Sequence, residues 1–186
     1  MRISVFLIFL SVGLLLGSCA ASNRYDRNSM TRGRWRTYYD SNSKHITGKY
    51  RHGRPVGTFR YYAPTGTLDH SERYGDDGLC EVTYWHPSGK VARRGTAQWV
   101  TGAKGARFYW YGPWTSFDED GQITSIQTYT DGTVSRTETY ELGKLTHVEI
   151  HDNAGKVTRA ETYQDGNLLR VETFEQGRRT GSSLTL

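Results

Sequence analysis

Apolar and polar positions alternate along this chain in a seven-residue cassette that recurs at the length of a hairpin. It reads aliphatic, any, Arg/His/Ser, any, Glu/Gln, any, aromatic. The copies begin at Leu68, Ile123, Val134, Leu145, Val157 and Leu168 and end at Tyr74, Tyr129, Tyr140, His151, Tyr163 and Phe174; His151 takes the aromatic place in the fourth. The last five start 11, 11, 12 and 11 residues apart. A period-two alternation of this length predicts a short strand, and repetition at this spacing predicts one supersecondary unit used many times. No stretch beyond the first 20 residues shows a helical period of 3.6. Glycine-marked turns separate the strands, among them Asp131-Gly132, Leu142-Gly143, Asn153-Ala154-Gly155, Asp165-Gly166 and Gln176-Gly177.

Turns and cassettes together predict a register. A two-residue turn at Asp131-Gly132 places Tyr129 opposite Val134 and Gln127 opposite Arg136. A three-residue turn at Asn153-Ala154-Gly155 places His151 opposite Val157, Glu149 opposite Arg159 and His147 opposite Glu161. The Asp165-Gly166 turn places Tyr163 opposite Leu168 and Glu161 opposite Arg170. Acids then meet bases across strands on one face, where each such pair contributes roughly 0.2–1 kcal/mol. Ser135, Thr137, Thr139, Ala160, Val171 and their like form the other face. The expected fold is all-β: an elongated single-layer antiparallel β-meander of repeated hairpins, preceded by a signal peptide and a flexible tether.

The start of the chain reads as a targeting segment. Ile3 to Leu16 is an almost unbroken apolar run after Met1-Arg2. It falls short of the ~20 residues that span a bilayer and has the length of a signal-peptide core. It ends in Leu16-Gly17-Ser18-Cys19, which resembles a bacterial lipobox. The resemblance implies acylation of Cys19. It assigns residues 1–18 to a lipoprotein signal peptide and places the protein in a bacterial cell envelope, at the outer membrane if there is one, since Ala20 and not Asp follows the cysteine. Ordinary secretion with cleavage near Ala20-Ala21 is the alternative. Residues 19–45 read as a basic flexible tether, and 46–186 as the β-repeat domain, with an irregular insertion at about 95–111 where the cassette decays.

Charge is uneven. From Arg24 to Arg60 ten Lys/Arg stand against two Asp/Glu; from Tyr61 to Leu186 thirteen stand against seventeen. The basic block suits either anionic headgroups or a solvated tether. An anchored, exported protein has little access to nucleic acid, so none is expected as a partner. With Cys19 acylated, the other cysteine, Cys80, has no disulfide partner and reads as a packed thiol.

The segment from Tyr50 to Leu68, with Gly53, Gly57, Phe59, Tyr62 and Gly66, resembles the MORN-repeat variant, and Gly112, Trp114, Phe117, Gly121 and Ile123 echo it more weakly. Some bacterial proteins of this family are labelled antitoxins. The resemblance implies two strands per repeat over about residues 45–180 and contact with a protein or lipid. The later copies also resemble YD repeats of large bacterial shell proteins, a second reading for so short a chain.

Chemistry is thinly represented. His147, Glu149 and His151 alternate on one strand, but same-face neighbours stand ~6.5–7 Å apart, too far to share an ion easily. No catalytic or metal residues and no cofactor are assigned, and an enzyme is not expected. The aromatic cluster around residues 108–117 is the candidate contact surface, with Trp110, Tyr111 and Trp114 as binding residues. The expected function is a lipid-anchored, non-enzymatic interaction module that meets another envelope protein or the membrane surface. The alternatives are a glycan- or peptidoglycan-binding lipoprotein and antitoxin-like neutralisation by direct contact. Open sheet edges make self-association a further expectation.

Overall fold

The computed structural model describes residues 22–75, 78–102 and 105–184. These form one antiparallel sheet of fifteen strands with no helix among the described residues. The strands are β1 (Arg24–Tyr25), β2 (Thr31–Tyr38), β3 (Lys44–Arg51), β4 (Arg54–Pro55), β5 (Gly57–Tyr62), β6 (Leu68–Tyr74), β7 (Leu79–Trp85) and β8 (Val91–Gly102). They continue as β9 (Gly105–Phe117), β10 (Ile123–Thr130), β11 (Thr133–Glu141), β12 (Lys144–His151), β13 (Val157–Gln164), β14 (Asn167–Glu175) and β15 (Arg178–Leu184). Each pairs with its neighbours in sequence, except that β3 pairs with both the short β4 and β5. The expected single-layer meander is the observed fold.

Two expected boundaries are corrected. Residues 22–45 are not a tether: β2 pairs with β3 along its length, from Gly33 opposite Tyr50 to Tyr38 opposite Lys44. Their polar composition hides a strand whose inward residues are Gly33, Trp35 and Thr37. The region 95–111 is not an irregular insertion. Its described residues, 95–102 and 105–111, belong to β8 and β9, which pair from Arg93 opposite Ser116 out to Gly102 opposite Gly105 and are the longest of the described strands. The signal segment lies outside the described residues.

The register also differs from expectation, by one residue. Next to the turns it holds: Thr130 faces Thr133, Tyr129 faces Val134, His151 faces Val157 and Tyr163 faces Leu168. Beyond that, most hairpins, these among them, carry one extra residue in the second strand, whereas β6 and β7 pair without a shift. Arg136 therefore faces Thr128 and not Gln127, Arg159 faces Ile150 and not Glu149, Glu161 faces Val148 and not His147, and Arg170 faces Thr162 and not Glu161. The extra residues are bulges. Four of them are Ser135, Thr146, Thr158 and Thr180, and each hydroxyl donates to the carbonyl of the opposing strand beside the bulge: Thr128, Thr139, Ile150 and Thr173, at 3.1, 3.2, 3.1 and 3.3 Å. The hydroxyl thus supplies a bond at the point where the ladder is interrupted.

A one-residue shift moves a whole strand's side chains to the other face. Cassettes of successive strands from β10 on therefore point to opposite sides, and in β11 and β13 the acid–base contacts run along the strand, while Arg179 of β15 reaches across to Glu172 of β14 at 2.7 Å. In β11 the Arg136 guanidinium donates to Glu138 at 2.8 Å and the Tyr140 hydroxyl donates to Glu138 at 2.7 Å. In β13 Arg159, Glu161 and Tyr163 repeat this at 2.8 and 2.6 Å. Between these two triads on the same face lies Val148 of β12, fully buried. On the opposite face Ala160 of β13 is buried between the cassettes of β12 and β14. Small residues occupy these positions because large polar side chains flank them on both sides. The hydrogen bond from Tyr163 holds the Glu161 carboxyl below its ordinary range, helped by Arg159. At Glu138 burial pushes upward, but the bonds from Arg136 and Tyr140 outweigh it and hold the group low.

Candidate interaction surfaces

Two glycines within strands organise the packed part of the sheet. A Cβ on Gly48 would lie 2.4 Å from the Phe59 ring, and one on Gly95 would lie 2.3 Å from the Trp114 ring. Each aromatic therefore lies on the backbone of a neighbouring strand, β3 for Phe59 and β8 for Trp114, an approach that no residue with a side chain permits. Both aromatics follow a Gly with positive φ by two positions, Gly57 (67°) and Gly112 (65°). The Gly-x-aromatic element and the seat glycine across from it form one structural unit, present twice.

From these seats an aromatic face spreads over β2–β10. Trp35, Tyr50, Phe59 and Tyr74 meet edge to face with centroids 5.0–5.7 Å apart. Tyr61, His70 and Tyr84 stack at 4.2 and 4.9 Å. Trp110 stacks on Trp114 at 4.2 Å, and Tyr129 closes the group edge-on to Trp110 at 5.2 Å. The Arg93 guanidinium lies 4.4 Å from the Trp110 ring centre and donates to Gln127 and to the Tyr129 hydroxyl at 2.7 and 3.1 Å. Cation–π contact and these two bonds hold the cation, with no carboxylate paired to it among the described residues. Within this face Glu72 is buried and accepts from the hydroxyls of Tyr61 and Tyr74 at 2.7 and 2.6 Å. Burial, then the bond to this carboxylate, pushes both phenols above their ordinary range.

The expected trio of binding residues is divided. Trp114 has no exposed surface and donates its indole N–H to the Thr96 carbonyl at 2.9 Å, so it is a core residue and cannot touch a partner. Trp110 packs against it and is half-buried. Tyr111, 47% exposed, belongs to the opposite face, because adjacent strand residues alternate. The three cannot line one sugar-binding surface. Cys19 lies outside the described residues.

A different apolar surface emerges from the hairpin of β8 and β9. This ribbon runs past its neighbours: β7 ends its pairing at Leu79 opposite Gln98, and β10 ends its pairing at Tyr129 opposite Gly112. On one face of the projecting part Trp99 and Phe108, 41 and 38% exposed, meet edge to face at 6.2 Å; Val100 and Tyr111, 37 and 47% exposed, lie on its other face. The cassette pattern gives no hint of it, since Gly95 to Tyr111 breaks the repeat.

Cys80 is fully buried between Tyr74 and Ala97, which face it across the two neighbouring strands. Burial, with Glu72 and Glu81 nearby, pushes its thiol up to about 12. The thiolate is the reactive form. A water-soluble thiol reagent is therefore expected to leave Cys80 unmodified in the folded protein at neutral pH and to modify it at the rate of an open thiol in denaturant. Labelling of the folded chain at that open-thiol rate would show that the site opens freely.

Residues 110–131 match the family described as MORN repeat variant. The chain carries a MORN repeat variant. The matched stretch is the copy containing Gly112 and Trp114, the weaker of the two by sequence and the one whose aromatic is most deeply buried. No curated protein matches the chain. Among solved structures it resembles TarM from S. aureus, a mutant in complex with fondaparinux, alpha-GlcNAc-glycerol and UDP, at 13% identity and a TM-score of 0.35, covering 61% of this chain and 19% of that one. A second TarM structure gives 13% and 0.31, covering 67% and 19%. A protein of unknown function from Bacteroides fragilis gives 11% and 0.24, covering 79% and 96%. The chain spans about a fifth of the length of the TarM chains it resembles.

Proposed function

We propose that this MORN-type protein is a lipid-anchored, non-enzymatic interaction module of the bacterial cell envelope. Cys19 carries the acyl chains, and the projecting β8–β9 ribbon engages an envelope protein. Each buried methylene contributes ~0.8 kcal/mol, so two or more chains hold the protein at the membrane where one is marginal. The observation that supports the partner is the exposed aromatic pair Trp99 and Phe108 on one face of the ribbon. Aromatic clusters of this kind supply much of the binding free energy where proteins meet.

Photo-crosslinking in cells tests the reading. A crosslinker at Phe108 is expected to capture one envelope protein, and the same group at Leu142, which is 90% exposed in a distant turn, is expected not to. Cys19→Ala should abolish both palmitate incorporation and the crosslink. Equal capture from the two positions, or none from Phe108 in cells where the anchored protein is abundant, would count against the ribbon as the contact.

A further inference from the structure

The two ends of the sheet are built differently. At the first end the outer side of β2 is occupied. β1 pairs with it at Thr31 and Arg32, and the Asn23 N–H donates to the Arg34 carbonyl at 2.9 Å. The Asn23 side chain donates to the Arg36 carbonyl and accepts from the Arg36 N–H, both at 2.7 Å. At the other end no described strand pairs with the outer side of β15. Yet β15 is patterned as an interior strand. It has the bulge at Thr180 and the hydroxyl bond beside it that β11, β12 and β13 have. Ser182 stands opposite Glu172 on one side of β14, as Ala160 does on the other. Ala160 is buried because a second long acid, Glu149 of β12, stands opposite it as well. Ser182 has no such second neighbour among the described residues and is exposed. From Gly181 to Leu184 the strand carries neither a charge nor a proline to blunt the edge. Arg179 is bonded to Glu172 at 2.7 Å, whereas the exposed Arg178 makes no ion pair among the described residues.

We infer that β15 accepts an added strand from another protein, an extended acidic segment running antiparallel to it, at a place separate from the ribbon and independent of the anchor. The neighbouring strands define its chemistry. A long acid belongs opposite Ser182, where β12 sets Glu149 opposite Ala160. A further acid belongs beside Arg178, since opposite charges across strands stabilise a pair. Main-chain bonds to the edge supply affinity, and alternate side chains supply selectivity. A second copy of the chain suits the edge less well. β15 against β15 sets the small residues Gly181, Ser182 and Ser183 against one another and leaves Arg178 and Arg179 without an acid. Head-to-tail addition is blocked, because β1 and Asn23 already hold the outer side of β2.

The test uses the chain from Cys19 to Leu186 with Cys19→Ser, which contains the whole sheet, and a synthetic probe. The probe is a fluorescent peptide with the sequence of β14, Asn167 to Glu175, carrying Arg170→Glu; β14 itself sets Glu172 opposite Ser182 in the antiparallel sense. Fluorescence anisotropy is expected to show binding, and hydrogen exchange is expected to slow at β15 and not at β2 or the β8–β9 ribbon. The same peptide N-methylated throughout can donate no main-chain hydrogen bond and should not bind. Arg178→Glu in the protein turns an attractive cross-strand pair into a repulsive one and should weaken binding about tenfold, whereas Arg54→Glu at the far end should leave it unchanged. If Arg178→Glu disturbs the far-UV circular dichroism, Arg178→Gln replaces it, with a smaller loss expected. No binding at millimolar peptide, equal binding of the methylated peptide, equal loss from Arg178→Glu and Arg54→Glu, or slowed exchange confined to the ribbon would overturn the inference. So would a peptide-free dimer in which β15 is protected, because a second copy would then hold the edge.

Discussion

Trp114→Ala lowers the stability of the sheet by ~3–5 kcal/mol, the range for removing a large buried aromatic. The site allows little relief. Trp114 lies on the Gly95 backbone, stacks on Trp110 and donates to the Thr96 carbonyl, so its loss opens a cavity and leaves that acceptor without the indole. Gly95→Ala attacks the same contact from the other side, because its Cβ would stand 2.3 Å from the ring, and overpacking of this kind costs ~1–3 kcal/mol. The two changes are not additive. Once the ring is gone the added methyl has room, so the double variant is little worse than Trp114→Ala alone. Urea unfolding of the four proteins measures this. Additive losses would mean that the indole does not rest on Gly95.

Glu72→Ala destabilises by ~3 kcal/mol, since a hydrogen bond to a charged group contributes ~1.5–3 kcal/mol and this carboxylate accepts two. Glu72→Gln retains an acceptor oxygen and should lose about half as much. The surrounding phenols add a pH dependence with a definite sign. Tyr61 and Tyr74 are both pushed above their ordinary value of 10.0, burial being the larger cause and Glu72 the next. Above pH 10 the unfolded chain releases these protons and the folded chain keeps them. The unfolded state then binds fewer protons, so stability falls as pH rises. The fall should be shallower in Tyr61→Phe/Tyr74→Phe, which cannot ionise at these positions. Unfolding midpoints that stay level from neutral pH to well above 10 would show that the cluster does not restrain the phenols.

From Ile123 onward the strands and turns were legible in the sequence without help. Alternation at Val134–Tyr140 or Val157–Tyr163 fits only a strand, and Asp131-Gly132 fits a hairpin turn because both residues adopt positive φ there, 49° and 80°. The candidate surfaces were less legible. Gly48 and Gly95 were readable as sites of close backbone approach, but which ring sits on them depends on strands that sequence spacing alone does not align. By its type Trp114 reads as a surface candidate, but burial depends on what stacks over it. The region around Trp99 and Phe108 broke the cassette and so read as irregular, although backbone pairing continues through it.

By itself the sequence determined an all-β meander of short hairpins, where its turns fall and how unevenly its charge is distributed. Only the tertiary structure decided which face each side chain takes. The reason lies in one extra residue in each of the C-terminal hairpins. Ser135, Thr146, Thr158 and Thr180 enter the ladder as bulges, and their hydroxyls bond the carbonyls beside the interruption. A pattern of residue types is the same with or without a bulge, but a shift of one position reverses every side chain beyond it. That reversal places Arg136, Glu138 and Tyr140 on one side and His147, Glu149 and His151 on the other. In β11 and β13 it also turns the expected cross-strand acid–base pairs into triads within single strands.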